Sequence, residues 1–304
     1  MPDSMMVFDR LAVRRHRDRA AATLASADFL FREAAVRLLD RLDDVTRRFA
    51  LALDLGCRHG AVAEALKSHT KVDHLVQCDL SPALARHAAA NGAPTFAADE
   101  EALPLAEQSL DLVLSNLSLH WVNDLPGALV QARRALKPDG LFLATVFGGE
   151  TLKELRACLM EAESEVSGGA SPRVSPFVDV RDAGSLLNRA GFALPVVDAD
   201  AMTVTYAEPL KLLADLRAMG ETNAVHERNK RFMRRDVLGR ALQLYAEKFV
   251  DARGRVVATF QIVTLTGWAP HASQQKALRP GSASARLADA LTTTEIALDE
   301  KAPR

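Results

Sequence analysis

Phe49-Ala-Leu-Ala-Leu-Asp54-Leu-Gly56-Cys57-Arg58-His59-Gly60 is the stretch whose reading decides the fold. A short apolar run ends at Gly56, as a buried parallel strand does when both of its faces are covered. A glycine-bearing turn follows, and Ala61 to Ser68 then reads as a helix. Glycine has no Cβ and accepts positive φ, so a turn of this kind lets a ligand approach the backbone closely. The dinucleotide fingerprint GxGxxG does not fit, because Gly56 and Gly60 are four apart. The pattern acid-x-Gly-x-Gly-x-Gly is closer, with Arg58 standing where the middle glycine would be.

The alternation continues downstream. His74 to Cys78 reads as a second strand, and Ser81-Pro82 opens a helix with Ser as N-cap and Pro at the first helical position. Thr95 to Ala98 and Leu110 to Ser115 read as strands three and four. A helix from Leu125 to Leu136 ends at the turn Lys137-Pro138-Asp139-Gly140, and Leu141 to Phe147 is a fifth strand. Thr151 to Glu165 reads as a helix opened by a Thr151/Glu154 capping box. Further helices are expected near Asp182–Ala190, Pro209–Met219 and Arg234–Phe249, and further strands at Phe192–Tyr206, with a break, and Arg255–Leu265. Upstream, Phe8 to Phe49 reads as helix, with Phe31, Ala34, Ala35, Leu38, Leu39 and Leu42 at helical spacing. Strands alternating with helices predict an α/β fold whose mostly parallel sheet is covered on both faces.

The 304 residues suit one domain with an insertion and a tail. Aromatic residues are only 5% of a chain that is 48% hydrophobic, so the core must be mostly Ala, Leu and Val. A net charge of −1 gives nucleic acid nothing global to bind. Cys57, Cys78 and Cys158 form no CxxC pair, which fits a reducing compartment. No apolar run approaches the roughly 20 residues of a membrane span. The arginines between Arg10 and Arg19 are mixed with acids, so this segment reads as a surface helix and not as a targeting signal. A cytoplasmic protein is expected, with peripheral membrane association left open. The division expected is a helical segment over 1–48, the main domain over 49–268 and a tail over 269–304 whose Ser-, Ala- and Gln-rich composition reads as disordered.

Four motifs end successive strands. Asp54-Leu-Gly56-Cys57-Arg58-His59-Gly60 is the first. Asp79, in Cys78-Asp79-Leu80-Ser81-Pro82, is placed to accept both hydroxyls of a ribose. Asp99, in Ala98-Asp99-Glu100-Glu101, is placed to accept an adenine amino group. Ser115-Asn116-Leu117-Ser118-Leu119-His120-Trp121 lies at the carboxyl edge, where α/β sheets bind ligands. Singly, each has an ordinary reading: Asp79 as a turn or capping acid, Asp99 as a solvated loop acid, His120-Trp121 as core. Their order along the strands points to one cofactor site. The loop Gly168 to Phe177 is either a crossover connection or a lid whose Arg173 meets an acidic group. The basic stretch from His226 to Arg235 reads as a solvated helix face, or as a hold for an acidic partner. No His, Cys or carboxylate cluster has metal-ligand spacing, and no Ser/His/Asp set is apparent.

The order of these motifs resembles the class I S-adenosylmethionine-dependent methyltransferases. Ser118 to Pro126, Leu136 to Phe142 and Phe147 to Arg156 resemble, more closely, the complex I assembly factor 5 family, whose relatives include the malonyl-carrier-protein methyltransferase of biotin synthesis. Gly168-Gly-Ala-Ser-Pro-Arg173 and Arg217-Ala-Met-Gly-Glu221 are the more telling segments. The resemblance implies a Rossmann-like domain with seven strands, the last antiparallel, and a helical insertion over about 208–249 that caps the substrate side. It implies a cofactor site on Asp54, Gly56, Cys57, Gly60, Asp79, Leu80, Asp99 and Asn116, with His120 and Trp121 beside the reacting group and Arg173 toward substrate. Arg58 departs from the pattern and would point to solvent or touch the cofactor carboxylate. The default chemistry is methyl transfer to a protein. The closer resemblance implies hydroxylation of an arginine in a quinone-site subunit of complex I. Carboxyl methylation of a carrier-protein thioester and a non-catalytic, cofactor-binding assembly chaperone are the rival readings.

Overall fold

A computed structural model describes residues 6–275, 282 and 285–294. Residues 1–270 form one compact unit and 271–304 a second. The first holds seven strands: β1 (Phe49–Leu55), β2 (Val72–Asp79), β3 (Thr95–Ala97), β4 (Leu110–Asn116), β5 (Leu136–Phe147), β6 (Ala193–Tyr206) and β7 (Val256–Trp268). They form one sheet in the order β3-β2-β1-β4-β5-β7-β6. The first five are parallel, and β7 runs antiparallel to both β5 and β6.

Period-two alternation explains the two helical layers. Ala52, Leu112, Leu114, Leu141 and Leu143 pack into one core with α2 (Phe29–Asp43), α3 (Ala61–Leu66), α4 (Pro82–Ala88), α6 (Lys153–Ser167), α8 (Pro209–Ala218) and α9 (Arg235–Lys248). Leu53, Val113, Phe142, Ala144 and Val146 pack into the other with α5 (Leu125–Ala135) and α7 (Val180–Arg189). Successive strand residues point to opposite faces, so an unbroken apolar strand needs helices on both. The chain leaves β1 for β2 on one side and β4 for β5 on the other. The crevice between the carboxyl ends of β1 and β4 is therefore the topological switch point.

Several local expectations are corrected. Phe8 to Phe49 is not one helix but α1 (Arg10–Ala20), a short 3-10 turn and α2. The apolar spacing begins only at Phe31, and all six periodic residues fall in α2. Nor is α1 a plain surface helix, because its Arg17 is wholly buried. Thr151 and Glu154 form no capping box: Thr151 exchanges hydrogen bonds with the backbone of Gln261, and Glu154 accepts from Thr259. Both side chains tie the start of α6 to β7 instead. Lys137 to Gly140 belongs to β5, with Asp139 at φ 62 and a register shift against β4. β6 is continuous, its irregularity reduced to a register shift between Ala193 and Val196. The basic stretch from His226 to Arg234 is not helical, since α9 starts at Arg235. The insertion contains α8 and α9 as expected, joined by an irregular segment. In the tail, α10 covers Leu287–Ala290, and the expectation of disorder over 276–281, 283–284 and 295–304 lies outside the described residues.

Candidate active site

Local sequence sets the turn after β1. Gly56 and Gly60 take φ of +75 and +92, and a Cβ at position 56 would fall 2.0 Å from Ser118 Oγ. The backbone N–H groups of Gly56 and Cys57 both donate to the carbonyl of Cys78, which clamps the turn to the end of β2. The Cys57 thiol is buried, and burial pushes it up, away from thiolate formation. Asp54 ends up wholly buried with neither carboxylate oxygen hydrogen-bonded among the described residues. Burial, reinforced by the nearby Asp79 charge, pushes its carboxyl up to about 8.

Asp79 is likewise buried, and its two oxygens accept the N–H of Ser81 at 2.8 Å and of Arg58 at 3.0 Å. Arg58 does not reach solvent. Its guanidinium lies over the Phe31 ring, donates to the Leu117 carbonyl, and pairs with Glu221 at 2.5 Å. Its Nε and Nη1 have no partner among the described residues. Glu221 also accepts from Trp121 Nε1 at 2.8 Å and lies 3.1 Å from His120 Nε2. Burial alone would raise the Glu221 carboxyl, but Arg58 and His120 hold it well below the ordinary range. His120 packs on Phe147 and Trp121, and burial pushes its pKa down against the opposing pull of Glu221.

The N-terminal helix supplies two arginines to this edge. Arg10 reaches Asp99 and Glu100, and Arg17 reaches Glu100, Ser118 and, at 3.4 Å, Asp79. Glu100 is wholly buried. Burial opposes its ionisation, yet Arg17 and Arg10 outweigh that and hold it far below its usual value.

The structure thus brings Asp54, Gly56, Cys57, Gly60, Asp79 and Asp99 to one edge of the sheet. Leu80 packs against the small apolar cluster that holds Phe8 and Trp121. Asn116 is turned inward: it donates to the Phe31 carbonyl and accepts from Thr145 Oγ1, binding α2 to β5. Arg173 stands apart, paired with Glu163 at 2.5 Å on the wall of a cavity of about 600 Å³ that Trp121 and Glu221 also line.

A family model described as "Methyltransferase domain" matches residues 53–144, from β1 to β5. The protein named arginine-hydroxylase NDUFAF5, mitochondrial, of Danio rerio is 45% identical over 94% of this chain and 89% of its own length.

This chain belongs to the NDUFAF5 arginine-hydroxylase family.

A malonyl-[acyl-carrier protein] O-methyltransferase of Methylovorus sp. (strain MP688) stands further from this NDUFAF5 family member, at 34% identity over 88% of the chain and 91% of its own length. Phosphoethanolamine N-methyltransferase 2 of Haemonchus contortus, solved with S-adenosyl-L-methionine, superposes with a TM-score of 0.54. It is 16% identical, over 85% of this chain and 60% of that one, which speaks to the fold. In this NDUFAF5 family member, sequence reasoning gave no role to Arg10, Arg17, Glu100 or Glu221. Arg10 and Arg17 are seven apart, two turns of one helix face, so their shared direction was readable. Their acidic partners lie about 90 residues downstream and were not.

Proposed function

We propose that this chain binds S-adenosylmethionine at the carboxyl ends of β1, β2 and β3 and modifies an arginine of a protein substrate during assembly of respiratory complex I. The observation that carries this reading is the 45% identity to an arginine-hydroxylase over nearly the whole chain. The orphaned groups of the site are complementary to the cofactor. An amino-acid end brings an ammonium for the unpartnered carboxylate of Asp54 and a carboxylate for the unpartnered Nε and Nη1 of Arg58. Asp79 keeps a lone pair on each oxygen for a ribose diol, provided Arg17 gives up its long contact there. Asp99 is the acid for the adenine amino group, with Gly56, Cys57 and Gly60 shaping the turn and Leu80 flanking it.

When bound, S-adenosylmethionine supplies a methyl group on a sulfonium, an electrophile that needs mainly alignment and exclusion of water. Trp121, fixed by Glu221, walls the reacting edge against the cavity. His120, whose Nε2 is held by Glu221 and whose Nδ1 has no partner among the described residues, is the proton acceptor proposed beside the edge. Arg173 lies on the substrate side. We place the protein in the cytoplasm, where its three free, buried thiols stay reduced. Among the described residues no helix is long and apolar enough to cross a membrane.

The second reading, carboxyl methylation of a carrier protein in biotin synthesis, is favoured by the 34% identity to that enzyme. Deletion in the host separates the two. Complex I is expected to fall while growth without biotin continues, and the quinone-site subunit is expected to lose one oxygen's mass on an arginine. A lost methylene instead makes the reaction methyl transfer. Biotin auxotrophy with normal complex I would overturn the proposal. Rescue by an Asp79→Asn variant that no longer binds cofactor would leave only a chaperone role.

A further inference from the structure

The cavity of about 600 Å³ beside Trp121 has a distinctive chemistry. Its wall is apolar, with Phe147, Leu155, Leu159, Phe177, Leu216 and Phe260 contributing. Its charged lining is unbalanced: Arg173, Arg217, Arg228 and Lys230 stand against Glu221 alone. Glu221 is already engaged by Arg58, His120 and Trp121. Arg173 is paired with Glu163 and Arg228 with Asp9. The side chains of Arg217, at the last turn of α8, and Lys230, in the irregular segment before α9, make no hydrogen bond or ion pair among the described residues. Both are exposed, and Phe232 beside them is fully exposed.

Two unpaired cations at the mouth of an apolar cavity are complementary to an anionic, amphipathic chain. We infer that this cavity docks a segment of the substrate protein in which large apolar side chains are flanked by carboxylates. The apolar side chains enter among Leu155, Leu159 and Phe177, and the carboxylates meet Arg217 and Lys230. An arginine presented without such neighbours meets a basic mouth whose single lining acid is already bonded three ways. Acidic flanks offset that repulsion, so the substrate arginine is expected within an acidic, apolar stretch. This specificity rests on the protein-substrate reading above, and it comes from side chains outside every cofactor motif.

The test is fluorescence anisotropy on the full chain with S-adenosylmethionine present. One labelled peptide carries a central Leu-Phe-Leu flanked by two glutamates on each side, and a second carries lysines in their place. The glutamate peptide is expected to bind at least tenfold tighter, with an advantage that shrinks as salt rises. Arg217→Glu with Lys230→Glu is expected to reverse the preference while leaving cofactor affinity, read by calorimetry, unchanged. Met233→Trp, which fills the mouth, is expected to weaken both peptides. Equal affinity for the two peptides, or a glutamate preference that survives the double charge reversal, would overturn the inference. So would binding of phosphatidylglycerol vesicles in place of peptide, which would make the basic mouth a membrane contact. If the parent binds the glutamate peptide but not S-adenosylmethionine, the cofactor reading falls and the docking inference stands.

Discussion

Arg17 Nη1 lies 2.8 Å from Glu100 Oε1, with both side chains wholly buried. This pair fastens the N-terminal helix to the carboxyl edge of the sheet, beside the acid expected to hold a ribose. Removing one partner strands a charge in a dry interior, which costs about 3–5 kcal/mol. Arg17→Met and Glu100→Gln are each expected to destabilise the fold by that order, and the double variant by less than their sum. Urea denaturation of the four proteins measures the coupling, and strict additivity would show that the contact contributes nothing.

The same pair sets a direction for acid sensitivity. Glu100 has its folded pKa depressed from 4.5 by Arg17 and Arg10 acting against burial, and Glu221 is depressed likewise by Arg58 and His120. Stability from such groups is fully present above the unfolded value and is lost as pH falls below it toward the folded one. Unfolding free energy should therefore drop as pH falls below about 4.5, and Glu100→Gln should flatten that drop. A parent and variant with parallel pH profiles would contradict this.

Asp54 works in the opposite sense. Its folded pKa is raised from 3.8 to about 8 by burial and by Asp79. Its destabilising effect begins as pH rises above 3.8 and is complete above about 8. Asp54→Asn should gain at least about 1 kcal/mol over the parent at pH 8, with the gain vanishing near pH 4. It should also bind S-adenosylmethionine more weakly, because the group that costs stability is the one proposed for the ammonium. Tighter binding by the variant would remove Asp54 from the site.

Gly56→Ala places a Cβ 2.0 Å from Ser118 Oγ at a φ of +75. A loss of at least about 2 kcal/mol is expected from clash and strain together. A thermal melt within a degree of the parent would show that the turn relaxes freely.

The sheet was legible because its signal is local. Phe49 to Leu55 and Leu110 to Asn116 are apolar runs bounded by turn residues, and the motif acids Asp54, Asp79 and Asp99 sit at or just past the ends of their strands. What escaped depends on contacts across the sequence. Thr151 and Glu154 fit a capping box at their spacing, and only the position of β7 shows that they bond to it instead. Asn116 has the motif position of a ligand-binding residue, yet Phe31 and Thr145 take its polar atoms. Arg58 is a long cation in a turn, and nothing near it in sequence announces Glu221, 163 residues later.

Calorimetry of S-adenosylmethionine binding tests the central claim most directly. Asp79→Asn is the fitting variant, since it keeps the side chain's shape and an acceptor for one of the two N–H groups, those of Ser81 and Arg58, that the carboxylate oxygens now accept. The account predicts saturable binding by the parent and a loss of at least about 1.4 kcal/mol, tenfold, in a variant shown by circular dichroism to be folded at the assay temperature. No binding by the parent, or equal affinity in the two, would contradict it.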